Sequence, residues 1–113
     1  MQKKNLEMIL KNLTAQIYSL LGDKLDRVVL YGSCARGDNT EESDVDILIL
    51  TRVTAAETRK YNRELNKIFS RVGLEYDVLL SMFLIDREAY TYWLPAMPFY
   101  QNIEKDGVVL YAA

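Results

Sequence analysis

Histidine is absent from this chain of 113 residues. Ser-His-Asp and Cys-His catalysis, most zinc sites and any imidazole pH switch are thereby excluded. Whatever chemistry the chain performs falls to carboxylates, hydroxyls, backbone amides or a bound hard cation. The single cysteine, Cys34, cannot form an internal disulfide, so no oxidising compartment is implied. Positive charge is also scarce: 14 Lys and Arg stand against 16 Asp and Glu, a formal net charge of −2. That balance argues against a broad electrostatic grip on nucleic acid, which needs clustered cations, but leaves room for a nucleotide. No apolar run is long enough to span a membrane, and Met1 to Glu7 lacks the apolar core of a signal peptide. No membrane association is expected, and the expected location is the cytoplasm.

Half of the residues are apolar and 27% are charged, the balance of a globular chain able to bury one core. The length, and the lack of repeats, low-complexity tracts or linkers, predict a single domain over residues 1–113. Leu6, Ile9, Leu10, Leu13, Ile17, Leu20 and Leu21 recur at helical spacing before Gly22, which predicts an amphipathic helix with a glycine stop. Val28 to Tyr31 reads as a strand running into a tight turn at Gly32-Ser33. Val45 to Thr51 is a strand apolar on both faces, which suits a central, covered position. Thr54 caps a second helix, with Glu57 three residues on, and Gly73 is expected to end it. A third strand over Leu74 to Met82, short helices around Arg87 to Trp93 and Phe99 to Lys105, and an edge strand at Val108 to Tyr111 complete the chain. Pro95 and Pro98 punctuate the link between the two short helices. The order predicts an α/β (α+β) fold, a small mixed β-sheet covered by helices.

Chemistry concentrates in two short stretches. Gly32-Ser33, at a strand end entering a helical turn, offers backbone N–H groups, a hydroxyl and no Cβ, which suits close approach of a phosphate chain. Asp44 and Asp46 are two apart on a strand, so they project from one face. Two such carboxylates repel by about 1 kcal/mol at 4 Å in water, and by more where water is excluded. A divalent cation removes the conflict, since Mg²⁺ takes oxygen ligands and commonly uses one or two carboxylates plus substrate phosphates. Taken singly, Gly-Ser is an ordinary turn and Asp-x-Asp a solvated acidic loop. Asp77 is a lone acid in an apolar stretch, expensive unless paired or liganded. It reads either as a third ligand or as the partner of an arginine such as Arg36 or Arg71, with Glu75 as a rival on the same face.

Gly32-Ser33, ten intervening residues from Cys34 to Ser43, and then Asp44-Val45-Asp46 resemble the signature of the DNA polymerase β-like nucleotidyltransferase superfamily. More narrowly, the chain is similar to the minimal nucleotidyltransferases of bacteria and archaea, some of which are antitoxins paired with HEPN-type toxins. The similarity extends through the strand after Asp46, the Asp77 segment and the closing stretch from Phe99 to Gly107.

The resemblance implies transfer of a nucleoside monophosphate, AMP from ATP, to an acceptor hydroxyl with release of pyrophosphate. It implies Asp44, Asp46 and Asp77 as catalytic metal ligands, Asp77 nearest the acceptor and helping to deprotonate it. Two Mg²⁺ ions are implied, with Mn²⁺ as a substitute. Ser33 and the Gly32-Ser33 amides would hold the β- and γ-phosphates, and Arg36 would either add charge there or make a surface ion pair. Larger relatives carry a further domain that recognises base or acceptor. Here a partner protein of the HEPN type, or a second copy in a homo-oligomer, is expected to supply that wall. Two other functions fit the same residues: a small-molecule adenylyltransferase acting on an aminoglycoside-like acceptor, and a non-catalytic antitoxin that works by contact. Cys34 reads as a space-filling residue, Lys60, Arg63 and Lys67 as a solvated helix face, and the aromatics Tyr90, Tyr92, Trp93 and Tyr100 as core or as a stacking or partner surface.

Overall fold

The computed structural model describes residues 3–40 and 43–113, so Glu41 and Glu42 of the motif spacer lie outside the described part. Four strands, β1 (Leu25–Tyr31), β2 (Val45–Thr51), β3 (Leu80–Asp86) and β4 (Val108–Ala112), form one sheet in the order β3-β2-β1-β4. β1 runs antiparallel to both β2 and β4, and β2 runs parallel to β3. The helices are α1 (Lys3–Leu21), the four-residue α2 (Ser33–Arg36), α3 (Ala55–Lys60), α4 (Asn62–Tyr76), α5 (Arg87–Trp93) and α6 (Pro98–Asp106).

Strand alternation decides what covers each face. Val28, Leu30, Val45, Ile47 and Ile49 pack on α1 through Ile9, Leu13 and Ile17, and on α4 through Leu65, Ile68, Phe69 and Val72. The opposite face, Val29, Leu48 and Leu50, packs on Tyr90 of α5 and on Tyr100 and Ile103 of α6. β2 is thus the central strand covered on both sides, as its composition predicts. Each of its fully buried Leu and Ile side chains is worth roughly 1.5–3 kcal/mol. Its far end is tied to α3: the buried Thr51 hydroxyl meets that of Thr58 at 2.5 Å, and Thr58 donates onward to the Thr54 carbonyl. Thr54 caps α3 by accepting from the Glu57 amide, as expected from the spacing.

Several boundaries differ from the sequence reading: β1 begins at Leu25 rather than Val28, and β3 runs on to Asp86 rather than ending at Met82. The second helix is two, separated at Tyr61. Gly73 does not end α4, which continues to Tyr76, because its carbonyl accepts from the amides of both Asp77 and Val78. A Cβ at position 73 would press on the Val78 carbonyl oxygen, so glycine is needed for the chain to fold back there. The third strand consequently begins at Leu80 rather than Leu74, and Asp77 is the left-handed cap of α4 (φ 53°) rather than a residue of an apolar strand.

Candidate active site

β1 ends at Tyr31 and the chain turns sharply at Gly32, whose φ of 75° and ψ of −158° fall where a residue with a Cβ is strained. α2 follows at once. Its Ala35 and Arg36 amides return to the Gly32 carbonyl at 3.1 and 3.2 Å. Cys34 is buried beneath the turn and its thiol donates to the Asp44 carbonyl at 3.5 Å, which staples the turn to the entry of β2. Burial, and then the charge of Asp46, push that thiol's pKa up, so it is a poor nucleophile and a space-filling residue, as its type suggested.

The decisive geometry is between Gly32 and Asp46. A Cβ built on Gly32 would overlap the Asp46 Oδ2. The glycine therefore serves two needs, its backbone angle and the closeness of a carboxylate. Asp46 pairs in register with Tyr31 on β1 and Ser81 on β3. Burial, then the charge of Asp44, hold its carboxyl above the usual carboxylate range; a hydrogen bond from Ser81 and the charge of Arg36 act in the opposite direction without cancelling them. Tyr31 is half-buried, and its phenol is pushed up by burial and by the same Asp46 charge. Asp44, by contrast, is exposed at the strand mouth.

Gly32, Ser33, Arg36, Asp44 and Asp46 are thus neighbours in one site. Arg36 is exposed, makes the surface ion pair with Asp38 at 3.5 Å, and lends its charge to Asp46. Asp77 is not brought to the pair. It is exposed on the α4 cap, Glu75 is exposed on α4 itself, and among the described residues no three Asp, Glu, Cys or His side chains are grouped to hold a metal ion. A solvated cap keeps its charge in water and, unlike a carboxylate buried in a strand, needs no ligand. The residue beside Asp46 on β3 is Ser81, which sequence reading passed over; its signal was one hydroxyl inside the apolar run Leu79-Leu80-Ser81-Met82-Phe83. Of the aromatics, Tyr90 and Tyr100 are buried and stacked at 4.8 Å, whereas Tyr92 and Trp93 are exposed.

A nucleotidyltransferase domain model matches residues 10–108, nearly the whole chain. The chain belongs to the nucleotidyltransferase family. This nucleotidyltransferase is 44% identical, over 88% of its own length and 93% of the relative's, to a Methanocaldococcus jannaschii protein named "Putative protein adenylyltransferase MJ0141". A second protein of that organism, "Putative protein adenylyltransferase MJ0604", is 29% identical over 95% of this chain and 99% of its own. Among solved structures, a toxin-antitoxin crystal structure with AMP-PNP superposes with a TM-score of 0.55 at 17% identity, covering 91% of this chain and 73% of that one. A nucleotidyltransferase structure from Sulfolobus solfataricus does so with a TM-score of 0.51 at 18% identity, covering 99% and 90%. These two likenesses bear on the fold alone, and they agree with the mixed four-stranded sheet of this nucleotidyltransferase.

Proposed function

We propose that this nucleotidyltransferase acts in the cytoplasm as one domain over residues 1–113 and moves AMP from ATP to a hydroxyl on a partner protein, a HEPN-type toxin in an antitoxin role. The names of its relatives, protein adenylyltransferases, support the donor group and a protein acceptor. A toxin-antitoxin assembly among its structural neighbours supports the kind of partner. The observation that carries the reading is the contact of Gly32 with the Asp46 carboxylate, which sets a glycine turn with its backbone amides against an acid pair.

The residues fit a divalent ion. Asp44 and Asp46 are hard oxygen donors, and the Asp46 carboxyl is raised by burial first and by the charge of Asp44 second, both of which a bound cation would offset. Asp44 and Asp46 would hold Mg²⁺ or Mn²⁺, which when bound supplies charge neutralisation and polarisation of the reacting phosphoryl group. The remaining work is positioning. Gly32 lets the triphosphate approach the backbone, the Ser33 hydroxyl donates to it, and Arg36 offsets charge on the departing pyrophosphate. The Ser81 hydroxyl holds Asp46 in place by the bond it donates. The acceptor oxygen bonds to the α-phosphorus as the bridge to the β-phosphate breaks; pyrophosphate leaves with that bond's electron pair, and the hydroxyl proton passes to solvent.

The test is incubation with α-labelled ATP, MgCl₂ and lysate of the source organism. A labelled protein band that Asp46→Asn abolishes is expected. Label in a small molecule would select the aminoglycoside-like reading, and ATP binding without any transfer would select neutralisation by contact. An Asp46→Asn protein that labels the same band as the wild type would refute the assignment of the site.

A further inference from the structure

The outer side of α4 carries a groove that nucleotidyl transfer itself does not use. One end, a cavity of about 800 Å³, is bordered by Arg63, Asn66, Lys67, Ser70, Arg71 and Leu74. The other, about 510 Å³, is bordered by Asn66, Ser70, Gly73, Leu74, Asp77 and Leu79, among others. Asn66, Ser70 and Leu74 border both, so the two are continuous. The lower end is joined to the entry of β2: the Leu79 carbonyl accepts from the Val45 amide at 2.9 Å, and Val45 stands between Asp44 and Asp46.

Two properties define what the groove accepts. Leu74 is 84% exposed and Leu79 71% exposed. A single exposed leucine says little, but two bordering one groove form an apolar contact that none of the described residues covers. The second property is charge. Arg63, Lys67 and Arg71 are four residues apart and line one side of α4. Lys67 pairs with the exposed Glu64 at 3.3 Å and Arg71 donates to Gln16 at 2.7 Å, while Arg63 makes no ion pair among the described residues. Along the described groove these three cations face one acid, Asp77, in a chain whose net charge is −2. A second copy docked symmetrically would set this basic row against itself, which is repulsive.

We propose that the α4 groove docks the protein that receives the nucleotide. The docked segment sets leucine-like side chains on Leu74 and Leu79 and aspartates or glutamates against Arg63, Lys67 and Arg71. Asp77 fixes its direction, since it repels an acid at the lower end; the apolar end therefore lies towards the carboxylate pair. α4 is 15 residues long, about 22 Å, enough for three to four turns of a docked helix. The inference rests on the function proposed above and adds where, and by which chemistry, the acceptor is recognised.

The probe is a fluorescein-labelled 16-residue amphipathic peptide with leucines at helical spacing and flanking glutamates, alongside its twin with lysines for the glutamates. Fluorescence anisotropy should show the glutamate peptide binding at least tenfold more tightly than its twin, and more weakly as salt is added. Leu74→Ser/Leu79→Ser and Arg63→Glu/Lys67→Glu should each weaken it at least tenfold. No binding of either peptide, equal binding of both, or unchanged binding by the variants would overturn the proposal. So would a wild-type dimer in sedimentation that the leucine variant dissociates, because the occupant would then be a second copy. A fluorescent ATP analogue with Mg²⁺ separates the two readings: peptide binding lost with ATP binding intact supports the groove, whereas peptide binding intact with ATP never bound sinks the function and spares the groove.

Discussion

Gly32→Ala tests the contact on which the site is built. Two separate penalties are expected. The backbone at φ 75°, ψ −158° is a region that essentially only glycine occupies, and holding an alanine there costs about 1–3 kcal/mol. The new methyl also overlaps the Asp46 Oδ2, an overpacking that costs about 1–3 kcal/mol more because the carboxylate must leave its place between Tyr31 and Ser81. The sum, about 2–6 kcal/mol, is large against the stability of a typical small domain. The two parts can be told apart. In an Asp46→Ala background the nearest remaining atom is the Asp46 Cβ, 3.6 Å from the added methyl, an ordinary van der Waals distance. Gly32→Ala should then cost only its backbone part. Urea denaturation of the four proteins gives both costs and their coupling. Equal costs in the two backgrounds would refute the claim that the turn and the carboxylate are in contact.

The pH dependence of stability should carry the mark of Asp46. Its folded pKa is raised, by burial first and Asp44 second, so the folded state holds the proton more tightly than the unfolded chain, and stability falls as pH rises from about 3.8 through that raised value. In metal-free buffer Asp44→Asn should shrink that fall, and urea midpoints measured from pH 3.5 to 7 that match the wild type would contradict it. Added Mg²⁺ at pH 7 should raise the wild-type melting temperature and leave that of Asp44→Asn/Asp46→Asn unmoved; equal shifts would point to another binding place. Thr58→Val strands the buried Thr51 hydroxyl and should cost about 1–3 kcal/mol, with Thr51→Val/Thr58→Val costing less than the single change, a difference readable by denaturation.

What the sequence discloses is set by how local the determining physics is. β2 announces its central place because a strand covered on both faces must be apolar on both, and Val45 to Thr51 is. α1 and its stop at Gly22 follow from spacing alone. Gly32 and the Asp44–Asp46 pair are legible because two-residue alternation and a glycine turn are fixed within a few bonds. Gly73 misled for the opposite reason. Its glycine is needed by a carbonyl five residues ahead, and no helix-stop rule distinguishes that from a terminus. Once the helix ran on to Tyr76, the alternation assumed from Leu74 had no strand to act on before Leu80, and Asp77 lost its supposed place beside the pair. Ser81 and Tyr31 were hidden at a further remove: they meet Asp46 through sheet register, which depends on strands far apart in the chain.

Folding alone would favour neither of the two features that meet at the mouth of β2. A second carboxylate near Asp46 raises the free energy of the folded state, and the turn beside it admits only glycine. The carboxylate of Asp44 could be removed by a single substitution without touching the two cores that flank the sheet. The rest of the site lessens the conflict without ending it: Ser81 donates to Asp46, Arg36 lends charge, and the carboxyl still stays raised. A conflict that the surrounding residues temper but leave in place is the arrangement expected where a cation and a polyphosphate complete the electrostatics. The third acid expected on β3 would have deepened that repulsion, and a hydroxyl at Ser81 relieves it instead. With Ser81 in that place, a cation held by Asp44 and Asp46 would complete its shell with oxygens of water and of a bound polyphosphate rather than with a third side chain.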